Sequence, residues 1–197
     1  MNKNLLLLLA ISLLFILFSC SSKPESKMAS SEPVIITSED ITISLAFISD
    51  DDLNKQFGKK GGNVFADYPG KITPKKSIVF QLNITTEKSD VELDLRNILL
   101  HVGETSGQSK YPSQLLQEWS TYLKNPEHEE KAHQLTRRNM FSNKIRVTPD
   151  KPASGLIVFL EKFPRHGDAL IILGLETAPG EIMEIEIPLD LFLAIEE

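Results

Sequence analysis

Cysteine is nearly absent: of 197 residues only Cys20 is one. No disulfide can close within the chain, so the fold must be held by burial alone. Histidine is scarce as well, at four residues, which leaves little material for acid–base chemistry assembled from distant positions. Positive charge is in deficit, with 21 Lys and Arg against 27 Asp and Glu and a net charge of −6. That balance excludes nucleic acid as a partner, because its binding rewards clustered Lys and Arg. It also excludes adhesion to anionic lipid by charge. The apolar run from Leu5 to Phe18 is about 14 residues, short of the roughly 20 that a membrane helix needs. No Gly-x-Ser-x-Gly elbow occurs, and residues 58–62 match a phosphate loop only in composition, with no helical pattern after them.

What is present begins with that first run. Met1-Asn2-Lys3-Asn4 forms a short positive segment, the apolar stretch follows, and Leu17-Phe18-Ser19-Cys20 closes it with a small residue before the cysteine. The pattern is that of a secretory signal. It resembles the lipobox of bacterial membrane lipoproteins: Leu17, Ser19 and Cys20 match, while Phe18 is bulkier than the small residue usual there. The resemblance implies cleavage before Cys20, fatty acyl chains such as palmitate on it, and a place in the cell envelope. Ser21 in place of Asp points to the outer membrane. At about 0.8 kcal/mol per buried CH₂, two or three acyl chains hold a protein on a bilayer almost permanently. A signal cleaved to release a soluble protein is the competing reading, but it leaves an exported protein with an unpaired thiol. Lipidation consumes that thiol and with it any cysteine catalysis.

The expected organisation is a signal at 1–19, a flexible tether at 20–32 rich in Ser, Lys, Glu and Pro, and one domain at 33–197. Fully extended, the tether reaches roughly 40 Å. Lys3 is the sole charge removed with the signal, so the remainder is one unit more acidic.

Within the domain, Ile41, Ile43, Leu45 and Phe47 alternate with Thr42, Ser44, Ala46 and Ile48, and Ile78, Phe80, Leu82 and Ile84 repeat the pattern. Period two is the mark of a half-buried strand. Val91, Leu93 and Leu95 are out of phase with Ile98, Leu100 and Val102, which a bulge near Arg96-Asn97 reconciles. Further strands are expected at 141–147, 156–160, 169–175 and 182–189, with Pro188 marking an edge or an end. Residues 50–74 read as a long irregular segment. Leu115, Leu116, Trp119, Tyr122 and Leu123 lie on one helix face, and Asn125-Pro126-Glu127 reads as the start of a second, largely exposed helix. The fold expected is a mainly β, antiparallel Ig-like sandwich with a two-helix insertion at about 113–139.

Few residues suggest chemistry. Asp50-Asp51-Asp52-Leu53-Asn54 opens like a calcium loop, but Lys55 and Gly61 stand where the turn glycine and the bidentate Glu belong, so Asp50 and Asp52 offer at most an irregular site. His128 and His133 are five apart, not the four that bring both to one metal from one helix face. Neither a cofactor nor a metal is expected. Tyr111, Trp119 and Tyr122 combine an apolar body with a polar tip, which suits a protein contact, although Trp119 serves equally by packing a helix onto the sheet. The function expected is a lipid-anchored, non-catalytic binding or interaction module. An accessory subunit of an envelope assembly and an envelope hydrolase whose site meets only in space are the alternatives.

Overall fold

The computed structural model describes residues 31–58, 62–66, 75–123, 125–164 and 168–189; the expected signal at 1–19, Cys20 and most of the expected tether lie outside them. Among the described residues, nine strands make two antiparallel sheets packed face to face. One contains, in order, β1 (Val34–Ser38), β2 (Ile41–Ile48), β3 (Lys76–Thr86) and β7 (Ala153–Glu161). The other runs β5 (Thr105–Gln108), β4 (Val91–Val102), β8 (Ala169–Ala178) and β9 (Glu181–Leu189), with β6 (Lys144–Val147) also on β4. With β2, β3 and β7 in one sheet and β5, β4, β8 and β9 in the other, the strand order is that of an Ig-like sandwich.

Alternation supplies the core. Ile43, Leu45, Phe80, Leu82, Ile157 and Phe159 face Leu93, Ile98, Leu100, Ile171, Leu173 and Ile187 across the two sheets. Phe80 stands edge-on between Phe47 and Phe159, at 5.9 and 6.1 Å between ring centroids. The out-of-phase halves of β4 meet at the expected place: its pairing with β8 shifts between Leu93 and Ile98, while Leu175 and Leu173 on the partner are only two residues apart. Gly174 lies against this bulge, where a Cβ would come within 3.0 Å of Asn97 Cβ.

Three helices form a further layer on the outside of the first sheet. The helical insertion is a pair, α2 (Pro112–Trp119) and α3 (Pro126–Asn139), and α3 buries only Ala132 and Thr136. The segment read as irregular begins instead with α1 (Asp50–Phe57). Ser49 caps it by accepting from the Asp52 N–H, and three aspartates occupy its first turn, where the helix dipole favours negative charge. Leu53, Phe57, Phe65, Leu115, Trp119 and Met140 then cover Val79, Leu156, Val158 and Leu160 on the outer side of β3 and β7. The free edge of β7 is closed by the Lys110 N–H donating to Val158 at 2.8 Å and by a bridge from Met140 to Leu156.

The antiparallel course gives the sandwich two poles. Ser31 enters beside Phe47, and β9 ends at Leu189 opposite Ala169, both at one pole. The turns at Glu39–Asp40, 87–90, 148–151 and 179–180 lie at the other, where Asp40 ties the first two together by accepting from the Lys88 and Ser89 N–H groups.

Candidate binding surface

The residues singled out in the sequence do not form one surface. Trp119 is buried at the end of α2, and Tyr122, 42% exposed, meets it edge-on at 6.4 Å. Tyr111 is at the opposite end of α2, as its N-cap, with its N–H donated to the Gln114 side chain at 2.9 Å. Asp50 and Asp52 belong to the first turn of α1. Asp52 accepts from the Ser49 hydroxyl and from Lys55, each at 2.8 Å. Cys20 lies outside the described residues. His133 lies on the exposed side of α3, beside a shallow polar hollow of about 350 Å³. Among the described residues no group of three or more His, Cys, Asp or Glu is placed to hold a metal ion.

Tyr111 instead leads to a cluster that strand periodicity marked only as a bulge. Its hydroxyl donates to Asp94 Oδ1 at 2.7 Å. Arg96, two residues along the bulged strand, folds back onto the same carboxylate through Nε at 3.2 Å and Nη2 at 2.7 Å, and its N–H donates to Oδ1 at 2.9 Å. The Arg96 guanidinium beside Asp94, helped by that backbone N–H and by Tyr111, lowers the carboxyl to a pKa of about 2 despite its burial. Burial first, and then the bond to Asp94, raises the Tyr111 phenol. A regular strand would send Asp94 and Arg96 to the same side with no backbone N–H turned toward the carboxylate. The bulge makes this four-donor clasp possible.

Beyond it the outer side of the second sheet divides into two halves. Toward the turns it is ionic: Asp90 pairs with Arg146 at 2.6 Å and Glu92 with Lys144 at 2.5 Å. Asp90, Glu92 and Arg146 border a cleft of about 250 Å³ together with Glu176, Thr177 and Pro179. Below the bulge it is apolar. Leu99 pairs with Ile172 and His101 with Leu170, while Ile172 and Leu170 lie opposite Glu186 and Pro188 of β9. Leu99, Leu170 and Ile172 are half-buried, yet they belong to neither of the two core clusters. Ile182, 54% exposed, lies farther along β9 toward the turns, opposite Glu176. His101 Nδ1 and the Ser106 hydroxyl, 2.8 Å apart, form the border of the apolar half on the β5 side. The signal that could have found this face is the stretch Ala169 to Leu175, which is apolar on both phases apart from Gly174.

No family model matches the chain, and no curated protein matches it. Among solved structures it is similar to a functionally unknown protein from Listeria monocytogenes EGD-e, with 13% identity over 83% of each chain and a TM-score of 0.41.

Proposed function

We propose that the chain is a lipid-anchored protein of the bacterial envelope that works as a non-catalytic binding module, presenting the outer side of its second sheet to another molecule. The observation that carries the binding role is an asymmetry between two strands. Both β7 and β8 are apolar on both phases. For β7 the second side is roofed by α1, α2 and α3, whereas Leu170 and Ile172 of β8 pack into neither core. Antiparallel strands with one wet side carry polar residues on it. An apolar second side is the mark of a contact surface.

The anchor rests on Leu17, Ser19 and Cys20. With acyl chains on Cys20, the flexible tether expected at 20–32 holds the domain off the bilayer without fixing its orientation. The outer membrane is the location that Ser21 favours.

Two measurements test this reading. The mass of the mature N-terminal peptide should equal that of a peptide starting at Cys20 plus diacylglycerol and an acyl chain; an unmodified thiol refutes the anchor. Cys20→Ala should move the protein out of the carbonate-washed membrane fraction, and persistence there shows that lipid is not what holds it.

A further inference from the structure

The lower half of this side is distinguished by its charge as well as by half-buried apolar residues that belong to neither core. β5, β8 and β9 contain no Lys or Arg, and β9 carries Glu184 and Glu186 beside the apolar residues, with Glu176 and Glu181 nearer the turns. Glu186 lies directly opposite Ile172, and Glu184 opposite Gly174, so both acids flank the apolar centre on its own side of the sheet. In the upper half the acids of β4 and Asp90 before it each have a cation: Asp90 has Arg146, Glu92 has Lys144 and Asp94 has Arg96. The acids of β9 face an apolar strip made by Leu170 and Ile172 of β8 and Leu99 of β4; β8 bears no lysine or arginine, and Arg96, the cation of β4, is held on Asp94.

Building on the binding-module reading, we infer that this face docks a cationic amphipathic segment of a partner protein. The segment's apolar side rests on Leu99, Leu170 and Ile172, and its Lys or Arg residues reach Glu184 and Glu186 at the rim. The same acids disfavour the other occupants. An anionic lipid surface would be repelled. A second copy would bring the same glutamates into one interface, where like charges cost affinity. Residues 190–197, Asp-Leu-Phe-Leu-Ala-Ile-Glu-Glu, are apolar in the middle but carry only acids.

The test places a photo-crosslinking benzoylphenylalanine at Ile172 in the full chain, in the cells that make it, and in separate variants at Ile35 and Tyr122, the exposed apolar positions elsewhere. Adducts are sequenced by mass spectrometry. The expected result is an adduct at position 172 to a Lys- or Arg-rich amphipathic peptide of another protein. Its yield should fall about tenfold in Glu184→Lys/Glu186→Lys, as when about 1.4 kcal/mol of affinity is lost. The milder Glu184→Gln/Glu186→Gln should give a smaller fall without the folding burden of charge reversal, and Glu127→Lys/Glu129→Lys on exposed α3 should give none. An adduct to residues 190–197, to a second copy or to a peptide without cations overturns the inference, and so does a yield indifferent to the glutamates. Adducts at 35 or 122 with none at 172 overturn this surface while leaving a binding module. Absence at all three positions removes the module as well.

Discussion

Asp94 is buried, ionised and held by four donors, so its worth depends on pH in a definite direction. Its folded pKa of about 2 lies below the ordinary 3.8, and the stability it contributes is therefore fully present above pH ~4 and lost as pH falls toward 2. The shift corresponds to about 2 kcal/mol at neutral pH. Asp94→Asn should lower the urea-unfolding free energy by roughly that amount at pH 7, with the gap to the parent about halved at pH 3. A gap that stays constant across that range would show that Asp94 matters by shape and not by charge. Tyr111→Phe removes one donor to the ionised carboxylate and should cost about 1.5 kcal/mol at pH 7, again less in acid. This cluster was only partly legible in the sequence. The phase error between Leu95 and Ile98 located the bulge, and Tyr111 was noticed for its chemistry. Nothing in the spacing of residues 94 and 111 could join them, because the contact depends on where the chain between β5 and α2 crosses the sandwich.

At the scale of elements, the helical layer is fastened at two points that substitution can separate. Gly62 has φ near +79°, and a Cβ there would stand 2.3 Å from the His128 carbonyl oxygen of α3. Gly62→Ala therefore meets both backbone strain and a backbone clash and should destabilise by about 3 kcal/mol in urea unfolding. A cost near that of an ordinary helix or loop alanine would mean that α3 is free to move aside. Trp119→Ala empties the centre of the second cluster and should cost about 3–5 kcal/mol. Hydrogen exchange should quicken in α2 and α3 before it does in β3 or β8, since the core between the sheets is untouched. Equal acceleration everywhere would show the layers to be one cooperative unit. Periodicity found α2 and α3 because an amphipathic face and an Asn-Pro start are local signals. It missed α1, although Ser49 and Asp52 stand at capping spacing, because the aspartate run was weighed as a metal loop. It also missed β1 and β5, strands of five and four residues, too short to show a period.

The whole molecule is a sandwich with unlike outsides: one sheet roofed by helices, the other half ionic and half apolar. The sandwich itself was legible, since alternation in 41–48 and 78–84 and turns at regular intervals admit few other folds. The unequal treatment of the two outsides was not, because Leu156 to Leu160 and Ala169 to Leu175 read alike as sequence. Only the path of the helices shows that one of them is covered. That difference is the basis for reading this chain as a binding module, and carbene footprinting reports on it directly. The full-length protein should be labelled once on intact envelopes and once after purification. Lower labelling of Leu170 and Ile172 on the envelope, with Ile35 unchanged, is the predicted result. Equal labelling of Leu170 and Ile172 in both states would mean that the face is bare in place, and the binding account would be wrong.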